Sequence, residues 1–259
     1  MSEIQRPGAL YQQVAAAIRE AILSGEFEAG APLPSESQLI ERYEVSRPTV
    51  RNAIAVLRAE GLIEVRHGKG SFVRRTRQPT LTIERRVTRT RNGRFTSAGG
   101  TEWTTVEEPT VFRSHTSKHT GALLGLDAEE AIFVCDRLLM DSATGTRALH
   151  RTTIPFEVAE GIDALAETPD SEPDAIYALL AEAGHKLWWS ETVHARMPLP
   201  DERTTLQLPD ATPVMHLARV THGADDRPLI LETLRAGTDR AELAYRITAD
   251  KPPGRSRSA

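Results

Sequence analysis

Between residues 10 and 23 apolar side chains recur every four positions, at Leu10, Val14, Ile18 and Ile22, with Tyr11, Ala15 and Ala21 widening the stripe. That period predicts an amphipathic helix with Gly25 near its end. After a loop rich in Pro and Gly, Ser35 stands three residues before Gln38, a capping-box spacing that opens a short helix carrying Leu39, Ile40 and Tyr43. Ser46 starts a third helix. Its hydroxyl caps the first turn, Pro48 is tolerated there, and Val50, Ile54 and Leu57 form the inward face before Gly61 ends the run. Two short helices joined through Glu44-Val45 read as a helix-turn-helix. Two β-prone runs, 62–66 and 71–75, then flank His67-Gly68-Lys69-Gly70 and predict a hairpin with a basic tip. A helix-turn-helix followed by such a hairpin is a winged helix.

The outer face of the third helix carries Arg47, Arg51 and Arg58 at helical spacings, with Thr49 and Asn52 beside them. The first turn of a recognition helix enters a DNA major groove. There Arg forks onto a guanine edge, Asn pairs with adenine, and a Thr hydroxyl at a helix N-terminus suits phosphate. A solvated charged face is the alternative for an isolated helix. The wing tip, His67 to Lys69, makes the same DNA prediction from a second element, and the pair together favours DNA.

Beyond the wing, residues 74–94 contain eight Arg and one Glu. They read as an extended linker running near DNA phosphates, with an edge strand at 81–87 compatible with that role. The chain then changes style. Residues 131–140 form a long β-prone run, 141–146 a polar turn and 147–156 a returning strand; a similar unit recurs at 213–221 and 228–234. The two units align without a gap at an offset of 82, placing Leu124, Leu126, Arg137 and Leu149 on Leu206, Leu208, Arg219 and Leu231. An internal duplication explains this alignment. Between the copies, 173–184 reads as a helix ended by Gly184, and 187–197 as a strand in which Trp188 and Trp189 point to opposite sides. The expected fold is α+β: an N-terminal winged helix-turn-helix (6–75), an Arg-rich linker (76–105), a mainly antiparallel sheet domain with flanking helices (106–250) and a disordered tail (251–259).

Composition sharpens this division. The net charge of −4 over 259 residues conceals 16 Lys/Arg against 10 Asp/Glu in residues 1–94, and 16 against 26 in residues 95–259. A basic front and an acidic back point to an anionic partner for the front alone. The single cysteine, Cys135, excludes an internal disulfide and fits a reducing, cytoplasmic setting; inside an apolar strand it reads as a packed thiol. No apolar run approaches the roughly 20 residues a bilayer span needs, so a membrane partner is not expected. His115 and His119 lie four apart but lack a third ligand at metal spacing, and they read as solvated. No phosphate-binding Gly loop, nucleophile elbow or paired-Cys site is present, so no metal, cofactor or catalytic set is expected.

Residues 11–73 resemble the winged-helix domain of GntR-family transcriptional regulators, through GEF…G..LPSE…L, VSRPTVR.A…L…GL and HGKGSFV. The resemblance implies operator contacts at Arg47, Thr49, Arg51, His67 and Gly68. Ser35, Ser46, Pro48, Asn52 and Lys69 complete the expected DNA-binding set. Ser37 departs from the family's usual Arg or Lys. Residues 107–250 resemble the UTRA effector-binding domain of the HutC subfamily, a fold similar to chorismate lyase, through LLGLDAEEAIFVCDRLLMD, ALHRTTIPFEV, IYALLAEAGHKL, LQLPDATPVMHLARV and DRPLILETLRAGTDR. Here Leu139 stands where the family usually has a second Arg, and His150 where a Glu commonly precedes Arg151. Arg137 and Arg219 lie on otherwise apolar strand faces and require an anionic partner, either a ligand or a structural carboxylate such as Glu232 or Asp136. With His150, Arg151 and Glu232 they form the expected effector pocket. The resemblance implies a ligand-responsive transcription factor, a repressor and homodimer on a double-stranded operator, released by a small anionic or polar effector. An enzyme with a lyase-like domain tethered to DNA is the competing class, and an all-helical effector domain, found in other GntR subfamilies, is disfavoured by the β-rich second half.

Overall fold

The structure, a computed structural model, describes residues 9–66, 68–74, 81–97 and 101–247. Helix α1 (Leu10–Leu23) buries Val14, Ala15, Ile18 and Ala21, the stripe set by the four-residue period. Helix α2 (Glu36–Tyr43) starts at a complete capping box, in which the Ser35 side chain accepts from the Gln38 backbone and Gln38 reaches back to the Ser35 N–H at 2.9 Å. Glu44, in the left-handed region at φ 52°, makes the tight joint to α3 (Arg47–Ala59), whose N-cap is Ser46. Strands β1 (Ile63–Arg66) and β2 (Gly70–Val73) pair antiparallel with Ile63 opposite Val73 and Arg66 opposite Gly70. Their turn uses Gly68 at φ +70° and Gly70 at φ +96°, conformations that a side chain would strain. Ile18, Leu39, Val50, Leu57, Ile63 and Val73 are buried in one cluster, so all three helices and the wing share a core.

The remaining elements follow in chain order as β3 (Leu81–Glu84), β4 (Thr88–Arg89), β5 (Phe95–Thr96), β6 (Trp103–Thr105), β7 (Thr110–His115), α4 (Lys118–Leu124), β8 (Ala131–Asp141), β9 (Arg147–Pro155), α5 (Phe156–Glu160), α6 (Asp163–Glu167), α7 (Pro173–Glu182), β10 (Trp188–Arg196), α8 (Pro200–Thr205), β11 (Val214–His222), β12 (Pro228–Gly237) and β13 (Ala241–Ala244). Seven of these strands form one sheet in the order β10-β11-β12-β9-β8-β6, with β7 also pairing with β8. Strand β8 runs antiparallel to β6, β7 and β9. By Cα proximity the chain divides into two compact units, one of Met1–Gln78, His194–Met215 and Ala236–Arg240, the other of Pro79–Val193, His216–Arg235 and Ala241–Ala259.

The repeat read at an offset of 82 has a structural counterpart: α4, β8 and β9 recur as α8, β11 and β12, and the two returning strands β9 and β12 are neighbours at the centre of the sheet. Behind the sheet, Ile154, Ile176, Tyr177, Leu180 and Ile230 are buried together with Phe95 and Leu165, and Trp189 packs edge-on to both Phe95 and Tyr177. Trp188, on the opposite side of β10, stacks on His222 with ring centroids 4.0 Å apart and donates its indole N–H to the Gly223 carbonyl. His115 closes β7 and His119 lies within α4, so the two imidazoles do not share a helix face. Cys135 is buried, and burial raises its thiol pKa against the opposing pull of Arg137.

The edge strand read at 81–87 is present over 81–84, with its apolar face buried. Residues 81–84 form β3, parallel to β13 with Leu81 opposite Ala241, and bury Leu81 and Ile83. The alternation Leu-Thr-Ile-Glu supplies an apolar face that packs, and this outweighs the local Arg content. Residues 75–80, and the tail from 248, lie outside the described residues.

Candidate functional site

Two sets of side chains stand out. The first lies at the start of α3. The Ser46 hydroxyl lies 2.8 Å from that of Thr49 and accepts from the Thr49 N–H at 3.4 Å, which fixes the first turn. Arg47, Pro48, Arg51 and Asn52 are exposed beside it. Arg47 has no ion-pair partner among the described residues, whereas Arg51 Nε donates to both oxygens of Glu36 on α2 at 3.0 and 3.1 Å. Ser35 is exposed, but its hydroxyl is engaged in the α2 cap. Gly68 and Lys69 are exposed at the wing tip; His67 falls outside the described residues. Arg58 does not join this group. Its Nε donates to Asp210 at 2.7 Å, and Asp210 also takes Arg203.

The second set crosses the sheet. Arg219 on β11, Glu232 on β12, His150 on β9 and Arg137 on β8 come from four consecutive strands and line one cavity of about 450 Å³. The offset of 82 relates them in pairs: Arg137 to Arg219, and His150 to Glu232. Arg137 lies directly opposite His150 in the β8–β9 register. One residue further along β9 the side chain emerges on the other face, so Arg151, expected in the pocket, is not in it. It pairs there with Asp136 through bonds of 2.6 and 2.7 Å. A larger cavity of about 550 Å³ in the first unit, flanked by Leu62, Arg74 and Pro209, receives none of these buried charges.

Arg137 pairs with neither Glu232 nor Asp136, while Arg219 bonds a different carboxylate and still feels the charge of Glu232. Arg137 donates to the Thr152 hydroxyl at 3.3 Å and to the Asp170 and Ser171 carbonyls at 2.5 and 2.9 Å, and its nearest carboxylate is Glu172 at 3.5 Å. Arg219 donates to Glu191 at 2.8 Å. Glu191 also takes a fork from Arg85, with Nη2 at 2.7 Å, and the Tyr245 hydroxyl at 2.8 Å. Burial pulls the Glu191 pKa up, but Arg85, Arg219 and Tyr245 outweigh it and hold it below the ordinary range. Burial first, then the Glu191 carboxylate, pushes the Tyr245 phenol up to about 12. Glu232 behaves as Glu191 does: desolvation raises its pKa, while His150 at 3.4 Å, Arg219 and the bonded Tyr177 hydroxyl bring it below the usual value. Tyr177 is pushed well up by burial and by Glu232.

Sequence reading missed Arg85, Trp103, Asp174, Tyr177 and Glu191. Arg85 sits in the Arg-rich run taken as linker; the alternation just before it was the available signal. Nothing local marks the others, which reach the site only through sheet order and the placement of α7.

Both parts of the chain have counterparts in known proteins. The profile described as bacterial regulatory proteins, gntR family, matches residues 10–73, and that of the UTRA domain matches residues 110–242, half of the chain. The chain belongs to the UTRA-bearing members of the GntR family. Among relatives of this GntR-family protein, the HTH-type transcriptional regulator Rv0494 of Mycobacterium tuberculosis is 49% identical over 63 residues, 24% of this chain and 26% of that protein. The Exu regulon transcriptional regulator of Escherichia coli K12 is 45% identical over 71 residues, 27% of this chain and 28% of the relative. The match thus spans about a quarter of the length of these relatives. The HTH-type regulator SCO4628 of Streptomyces coelicolor aligns over 83% of this chain and 84% of its own length at 28% identity. A crystal structure whose description assigns it to the GntR-family transcriptional regulators superimposes with a TM-score of 0.69 at 23% identity, covering 94% of this chain and 99% of that one, a likeness of fold. No helix among the described residues is long and apolar enough to cross a membrane.

Proposed function

We propose that this protein is a ligand-responsive, sequence-specific DNA-binding transcriptional regulator, a repressor that leaves its operator when a small polar effector fills the cavity of the sheet domain. The observation that carries the reading is the exposed cluster Arg47, Arg51 and Asn52 on the capped first turn of α3, with Lys69 on the wing, in a chain that also carries a UTRA domain. That turn supplies forked donors for guanine, an amide for adenine and a helix N-terminus for phosphate. Ser35, Ser46, Pro48 and Thr49 shape and cap the two helix starts, and His67 and Gly68 extend the contact to the wing. Repression is supported by the name of the relative NanR of Klebsiella aerogenes, a transcriptional repressor 36% identical over 75 residues.

The protein acts as a homodimer, because helix-turn-helix readers of this size gain specificity from two half-sites about 34–36 Å apart. Effector binding shifts the spacing of the two readers, and it does so only through unequal affinity for the two arrangements. Arg137, His150, Arg219 and Glu232 are the effector contacts; Arg151 has no part in them. The reading gives the sheet domain no catalytic role and the protein no cofactor. It works in the cytoplasm, where DNA and metabolites meet.

Selection of bound genomic fragments by the full chain, followed by gel-shift titration, tests this function. Arg47→Ala with Arg51→Ala is expected to weaken the selected fragment at least about 30-fold, the low end of 1–3 kcal/mol for each of two base contacts. Unchanged affinity refutes it.

A further inference from the structure

We propose that the cavity takes a small zwitterion of no net charge, an apolar amino acid or a molecule of the same chemistry, with its carboxylate at Arg137 and its ammonium at Asp174. The inference rests on the effector reading of this cavity and names the ligand class. Two buried polar atoms in its lining have no hydrogen-bond partner: Arg137 Nε, a donor, and Asp174 Oδ1, an acceptor. They do not satisfy each other. Buried polar groups are ordinarily paired, so an unmatched donor and an unmatched acceptor in one cavity call for a ligand bearing both complements. The remaining guanidinium nitrogens of Arg137 are occupied by Thr152, Asp170 and Ser171, so Nε is its one nitrogen without a hydrogen bond. Glu172, 3.5 Å from Nε, is 66% exposed while Arg137 is fully buried, so it is a loose partner that a bound carboxylate replaces as it turns to solvent.

Charge balance supports the same class. Three arginines line the cavity, Arg85, Arg137 and Arg219, against four carboxylates, Glu102, Glu172, Asp174 and Glu232. Glu191 stands behind and already neutralises Arg85 and Arg219. Arg137 is thus the one lining arginine without a close carboxylate, so a phosphate dianion there leaves one negative charge uncompensated in a partly desolvated space. A zwitterion leaves the total unchanged. Trp103, Leu139 and Leu234 supply an apolar wall. About 450 Å³ lies within the roughly 300–1,000 Å³ of small-molecule pockets.

The test is differential scanning fluorimetry of the full chain with the aliphatic and aromatic L-amino acids at 10 mM, each beside its deaminated acid and decarboxylated amine, and with inorganic phosphate and glucose 6-phosphate. Ligands that bind the native state raise the melting temperature. At least one amino acid is expected to raise it, with its acid and its amine each binding at least tenfold more weakly by calorimetry. Asp174→Asn is expected to weaken the amino acid at least tenfold and leave the acid unchanged. The acid and amine comparison on the unaltered chain needs no variant and decides the matter if Asp174→Asn does not fold. No shift from any amino acid, or tighter binding of either phosphate compound, overturns the proposal. Neither outcome touches the regulator reading, which stands or falls on DNA binding by Arg47 and Arg51.

Discussion

Glu191 is the strongest single test of how charge is held in the sheet domain. Its carboxylate accepts three hydrogen bonds from Arg85, one from Arg219 and one from Tyr245. The side chains of Glu191, Arg85 and Arg219 are only 11%, 12% and 5% exposed. Removing one partner of a buried ion pair costs about 3–5 kcal/mol, since the remaining charge is left without compensation. Glu191→Gln keeps one acceptor oxygen, and Arg219 still feels Glu232, so the expected loss is near the lower end, about 3 kcal/mol. At about 2–4 °C per kcal/mol this lowers the melting temperature by roughly 6–12 °C. All three tryptophans, Trp103, Trp188 and Trp189, lie in this domain, so urea unfolding followed by indole fluorescence reports on it. Tyr245→Phe, which removes one bond from a half-exposed ring, is the control and costs about 0.5–1.5 kcal/mol. A loss below about 1 kcal/mol for Glu191→Gln refutes the reasoning, because that is the magnitude of a solvated pair.

Acid should destabilise the same domain in a defined window. Glu191 and Glu232 have folded pKa values below the ordinary carboxylate value, so their contribution is fully present above the unfolded pKa of about 4.3 and is lost as pH falls through the folded values. Urea midpoints are expected to fall steeply below about pH 4 and to fall less in Glu191→Gln; midpoints that stay level down to pH 3 contradict this. Tyr245, raised to about 12, adds the opposite limb: its contribution is present below about pH 10 and lost as pH rises through the folded value. On the DNA side, Arg51 must leave Glu36 to reach a base, and with side chains 63% and 36% exposed that pair is worth about 0–1 kcal/mol. Glu36→Gln is expected to tighten operator binding by up to about fivefold in an anisotropy titration; weaker binding shows that the pair orients Arg51 for contact.

The reading head was legible residue by residue because its information is local. Capping by Ser35 and Ser46, the four-residue stripe of α1 and the positive-φ glycines of the wing each act within one turn of chain. The duplicated hairpins were legible too, since a repeat fixes the same alternation twice. The cavity was legible only in part. Arg137, His150, Arg219 and Glu232 could be nominated as charges on apolar strands, but Arg151 was nominated with them, and the pleat sends it to the other face to meet Asp136.

From sequence alone come the winged helix, the basic first turn of α3, the α+β second half and its repeat, because propensity, periodicity and motif spacing operate over short stretches. Tertiary structure alone decided which carboxylate neutralises which arginine. Glu191, Arg85 and Tyr245 are separated by 54 to 160 residues and meet only where β3, β10 and the segment after β13 come together. Burial in low dielectric makes that meeting obligatory, and no local pattern encodes it.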